Sequence, residues 1–90
     1  MEIRTGAVVR SRAGHDKGDL LFVCGFSDGM ALVIDGKSRR SEKPKRKNLR
    51  HLAVVAEQVP GISERMAAGE KVLAAEIRKT LSAMAEGEQE

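Results

Sequence analysis

Leu20-Leu21-Phe22-Val23-Cys24-Gly25-Phe26-Ser27-Asp28-Gly29-Met30-Ala31-Leu32-Val33-Ile34-Asp35 consists of two apolar runs separated by an Asp-Gly pair. Asp-Gly between apolar stretches is the sequence mark of a tight hairpin, because both turn positions need positive φ. Residues 19–26 and 30–35 are therefore predicted strands, with Ser27-Asp28-Gly29 as the turn. Neither strand alternates apolar with polar. Leu21 and Val23 point one way while Leu20, Phe22 and Cys24 point the other, and Ala31 and Val33 oppose Leu32 and Ile34. One face can fill the interior of a small barrel. The other needs a cover, since it would otherwise be an exposed apolar patch.

Upstream, residues 5–12 read as a strand carrying β-branched Val8 and Val9, with Ser and Arg then alternating toward solvent. Residues 13–18 are a loop with two glycines. Downstream, Asp35-Gly36 reverses the chain again. Pro44 cannot donate a ladder hydrogen bond, so residues 41–47 are predicted as an extended loop and not a central strand. Residues 49–55 supply a last short strand through Leu52, Val54 and Val55.

After Pro60-Gly61 the composition turns to Ala, Glu, Lys, Arg and Leu, which favour helix. Leu73, Ile77, Leu81 and Met84 form one stripe, and Ile62 and Met66 a shorter one. Gly69 lies between them. A short helix over residues 63–68 and a longer one ending near Gly87 are predicted, with one continuous helix as the alternative. Strands first and helices after make an α+β fold, in which the helices are the natural cover.

The chain has 90 residues, enough for one domain. Its longest apolar run is far short of the ~20 residues of a membrane span. No charged-then-apolar leader opens it, and its single cysteine suits a reducing compartment. A cytoplasmic protein with no membrane contact is expected.

Charge is uneven. Residues 1–56 carry a net +6 and residues 57–90 a net −3, while residues 37–50 hold eight cations against Glu42 alone. That density costs self-repulsion, which points to a polyanion-binding surface, with a solvated charge run as the bland alternative. Lys43 to Lys47 also has the composition of a nuclear-import signal, but its place inside the fold favours binding.

Catalysis finds little footing. His15 and His51 lie far apart in sequence and, with Cys24 and Asp16, lack metal-ligand spacing, so no metal is expected. No motif assembles a nucleophile, a base and an orienting group, and Cys24 between Phe22 and Phe26 reads as a small buried hydrophobe. No phosphate-binding glycine loop precedes a helix. The expectation is a non-enzyme with no cofactor and no small-molecule substrate. With two Phe, no Tyr and no Trp, a base-stacking platform is not expected either. What remains is Lys and Arg contact to the phosphates of folded or helical nucleic acid.

Gly6-x-x-Val9-x-Ser11-x-x-Gly14-x-x-Lys17-Gly18 resembles the KOW motif, part of an SH3-like β-barrel in ribosomal proteins and transcription-elongation factors. The string from Val8 to Gly18 and the string from Asp35 through Lys43-Pro44-Lys45-Arg46-Lys47-Asn48 to Leu52 extend the likeness. Together they resemble short bacterial KOW proteins similar to large-subunit ribosomal proteins of archaea and eukaryotes, over about residues 3–52. His15 stands where that family has Arg, which removes a permanent charge. The resemblance implies an SH3-like barrel (residues 1–57, basic loop 37–51) and a C-terminal helical extension (58–90) packed on it as one unit. It also implies RNA binding, to ribosomal or other structured RNA, on or near the ribosome. Candidate contacts are Arg12, Lys17, Lys37, Arg39, Arg40, Lys43, Lys45, Arg46, Lys47, Arg50 and His51. The alternative is a protein-interaction module docking on a ribosomal protein or an RNA polymerase component. A third role has the acidic tail (Glu86, Glu88, Glu90) competing with RNA for the basic loop.

Overall fold

The computed structural model describes residues 2–36 and 44–88. In chain order the elements are β1 (Val8–Ser11), β2 (Leu20–Ser27), β3 (Met30–Asp35), β4 (Lys45–Lys47), a 3-10 turn (Leu49–His51), β5 (Leu52–Ala56), α1 (Ile62–Ala67) and α2 (Ala74–Glu88). The strands form one antiparallel sheet in the order β4-β3-β2-β1-β5.

The β2–β3 hairpin turns where the Asp-Gly pair lies. Asp28 and Gly29 both take positive φ, 53° and 77°, the backbone of a primed hairpin turn. The pairing slips by one residue between Val23 and Gly25, which makes Cys24 a bulge and adds twist.

The two apolar faces enter separate cores. Val8, Leu20 and Phe22 pack with Val59, Ile62, Ile77 and Leu81 from the helical segment. Val9, Leu21, Val23, Ala31, Val33 and Leu52 form the other cluster, joined by Ile3 and Val54 and, among the described residues, by no helix. A helix-free face buried this well requires the sheet to curl over itself. Lys47 gives an independent measure. It pairs with Ala31, which pairs with Phe26, well along β2 from the loop that leaves β1. On a flat sheet with ~3.3 Å per residue and ~4.8 Å per strand, the Lys47 ammonium would sit roughly 20 Å from that loop. It lies 3.2 Å from Ala13 O. The sheet is therefore open in its hydrogen-bonded order and strongly curled in space.

Gly6 fastens the helical segment to the sheet. Its φ of 95° lies in the glycine region, its N–H donates to Val23 O, and its carbonyl accepts from the Ser63 hydroxyl at 2.9 Å. Ser63 Oγ in turn accepts from Val59 N–H at 2.8 Å. A Cβ at position 6 would fall 2.8 Å from that oxygen, so the site needs glycine both for its backbone and for the close approach.

Several expectations are corrected. Strand β1 starts at Val8 and not at residue 5, because Gly6 breaks the extended backbone. Ser11 faces inward at 2 % exposure. Residues 45–47 form a strand at the sheet edge, where the ladder ends beside Pro44, so the exclusion of a central strand holds. Residues 49–51 are a 3-10 turn and not strand.

The helices fall near their expected places, with Gly69 at φ 81° between them. Leu73 does not join the buried stripe. It is 53 % exposed and precedes α2, where its N–H donates to Glu76 Oε2 at 3.0 Å, half of a capping box. Ala74 takes the buried position beside Ile77 and Leu81. The hydrogen bond from Arg65, then that from Leu73, holds the Glu76 carboxyl below its ordinary value, and the Arg65–Glu76 contact joins α1 to α2.

Candidate nucleic-acid interface

The loop between β1 and β2 is built around one carboxylate. Asp16 Oδ1 lies 2.7 Å from Lys47 Nζ and 2.8 Å from Ser11 Oγ. Ser11 Oγ is also 2.9 Å from Ala13 O, and Lys47 Nζ reaches the same carbonyl. Backbone bonds close the loop, with Gly18 N–H donating to Ser11 O and Asp19 N–H to Asp16 O. Arg10 adds a clamp, its guanidinium donating to Gly18 O at 2.7 Å. Burial works against ionisation of Asp16, but the hydrogen bonds from Lys47 and Ser11 outweigh it and hold the carboxyl below its ordinary value.

That depression sets the pH dependence. The folded group titrates below the unfolded value of about 3.9, so its contribution is complete above that value and is lost as pH falls through the folded one. Asp16→Asn is expected to cost about 1 kcal/mol at pH 7, with partial exposure taken into account. Its stability should then fall less steeply than that of the parent between about pH 5 and pH 2. Thermal unfolding followed by circular dichroism across that range checks both. Parallel pH profiles would show that Asp16 carries no linkage.

The same lock joins segments far apart in sequence. Lys47 ties β4 to the 13–18 loop, and Arg12 N–H donates to His51 O at 2.7 Å, tying the end of β1 to the 3-10 turn. Asn48 caps that turn by accepting from Arg50 N–H at 3.0 Å. The glycine loop and the 44–51 part of the basic segment are thus one contiguous surface.

Four of the candidate contacts, Lys37, Arg39, Arg40 and Lys43, lie outside the described residues. The other seven divide into three groups. Arg12, Lys17, Arg50 and His51 are exposed, and none of them makes an ion pair with another described residue. Lys45 and Arg46 are 62 % and 61 % exposed but have carboxylates at hand, Asp35 at 3.3 Å and Asp28 at 3.8 Å. Lys47, at 17 %, is turned inward onto Asp16.

Sequence reading missed the structural use of Arg10, Ser11 and Asp16. The available signal was Asp16 itself, an acid inside a loop otherwise flanked by cations. Cys24, expected from sequence as a buried hydrophobe, is only half-buried. Burial pushes its thiol above the ordinary value, and its Sγ donates to Leu32 O at 3.3 Å. No group of three or more His, Cys, Asp or Glu among the described residues is placed to hold a metal ion. No helix among them is long and apolar enough to cross a membrane. No protein-family model matches the chain, and no curated protein matches it.

Proposed function

We propose that this chain is a non-catalytic, cytoplasmic RNA-binding protein of the translation apparatus. In this reading the sheet closes as an SH3-like KOW barrel and its cationic end meets the phosphates of structured RNA. The observation that carries the reading is the fixed grouping of Arg12, Lys17 and Arg50. The first two flank a loop pinned by Asp16 and Lys47, and the third sits on a turn held to Arg12 by backbone. Exposed cations carried together on a held backbone repel one another, which favours a polyanion ligand over a solvated role.

The carboxylates near Lys45 and Arg46 do not remove those residues from the site. The Arg46–Asp28 pair is exposed on both sides and contributes about 0–1 kcal/mol, so a phosphate displaces that carboxylate readily. Lys45, by contrast, reaches out from an Asp35 carboxylate that is only 11 % exposed. Lys47 is different, and its role is to hold the frame. The KOW-like strings support RNA as the polyanion.

The test is a salt titration with a structured RNA. With about five phosphates neutralised on a duplex, log K should fall against log salt with a slope of about −4.5. Binding that is unchanged from low to high salt would overturn the reading. Nucleic acid that co-purifies and is removed by nuclease supports it against the protein-docking alternative. Without Trp or Tyr the protein barely absorbs at 280 nm, so that comparison needs a separate protein assay.

A further inference from the structure

Beside the cationic end lies a groove of about 600 Å³ lined by Glu2, Ile3, Leu49, Leu52, Ala53 and Val54. Its walls are mainly aliphatic, and Leu49 is exposed within it. Leu49 shares its 3-10 turn with Arg50 and His51, both exposed. The turn is held from two sides, by the Asn48 cap and by the bond from Arg12 N–H to His51 O. An apolar slot and the Arg50 guanidinium are therefore carried on one held turn of backbone, and Glu2 lines the same groove.

From this juxtaposition we infer that the groove takes one unstacked nucleobase of the bound RNA, while Arg50 holds the phosphate beside it. This deepens the RNA-binding reading and rests on it. A base is a flat apolar body attached to an anion, which is the pairing the turn presents. Glu2 also lines the groove, with Arg4 3.4 Å from its carboxylate; every base offers an N–H to an acceptor there, so the groove takes an unstacked base without selecting its identity. The preferred RNA is thus a helix with a bulged nucleotide. A perfect duplex satisfies the cations and leaves the groove empty.

The test compares two RNA hairpins of equal length and charge, one with a single bulged adenosine and one fully paired. The bulged RNA should bind about 5-fold more tightly, roughly what burying ~40 Å² of apolar surface of one base against aliphatic walls contributes. That ratio should stay constant as salt rises, because an apolar contact releases no counterions. Leu49→Ala, at an exposed position, should bring the two RNAs to equal affinity. Arg50→Ala should weaken both by the same factor. A parent protein that binds both hairpins equally overturns the inference and leaves the RNA-binding reading standing. Failure to bind either hairpin overturns both. Leu49-dependent capture of an acidic leucine-bearing peptide, with no preference for the bulge, would make the groove a protein-docking site and also overturn it.

Discussion

Leu81→Ala should unfold this protein at markedly lower denaturant, with a loss of about 2–5 kcal/mol. Leu81 is almost fully buried, packed with Ile77 from the same helix and with Val8, Leu20 and Phe22 from the sheet. Its environment has little room to collapse into the vacated space. A Cβ on Gly36 would lie 3.4 Å from Leu81 Cβ, so the helix already rests directly on the backbone after β3. The cavity term therefore adds to the transfer term. For a small domain with about 5–10 kcal/mol in all, such a loss is a large share of the total. Urea unfolding followed by far-ultraviolet circular dichroism measures it, since no Trp or Tyr is present to report by fluorescence. The midpoint should fall with the slope unchanged. Leu73→Ala, on the exposed residue that sequence spacing puts in the same stripe, is the control and should change stability by no more than about 0.5 kcal/mol. Equal losses at the two positions would mean that α2 does not cover the sheet.

The contrast between Leu73 and Leu81 shows where sequence reading succeeds. The β2–β3 hairpin was legible because its signals agree. Apolar runs, β-branched residues and an Asp-Gly turn all demand the same backbone, and β3 spans Met30–Asp35 as expected. The double-sided apolar pattern also foretold two clusters, one of them covered by helices. Leu73 misled because a stripe read at helical spacing does not reveal where the helix starts. The capping bond from Leu73 to Glu76 places that start after Leu73 and leaves its side chain outside.

At the site the limit was different in kind. A list of cations says nothing about which of them the protein consumes internally. Lys45, Arg46 and Lys47 are adjacent and chemically alike, yet only Lys47 is drawn in, because the sheet curls and brings a carboxylate from the 13–18 loop to meet it. Long-range register of that sort is set by tertiary packing, not by local composition. Charge density marks a cationic stretch, but it cannot sort its members.

Sorting them yields the final expected result. Replacing Arg12, Lys17 and Arg50 together by Ala should lower RNA affinity by on the order of 100-fold at low salt and make the salt slope shallower by about 2.7. The three are exposed and make no ion pair with other described residues, so the fold should survive. Lys47→Ala should behave in the opposite way. It leaves the Asp16 carboxylate and the Ala13 carbonyl without their ammonium and should cost about 1–3 kcal/mol of stability. Its effect on the salt slope should be small, because Lys47 faces the protein and not the ligand. Whatever affinity it loses should come from a loosened loop, and should shrink at temperatures well below its unfolding midpoint. A triple variant that binds as tightly as the parent would remove these cations from the interface. A Lys47 variant that keeps full stability but loses a unit of salt slope would show that this ammonium contacts phosphate after all, with Asp16 as a weak and displaceable neighbour. The two variants thus separate an electrostatic frame from an electrostatic contact, a distinction that net charge cannot make.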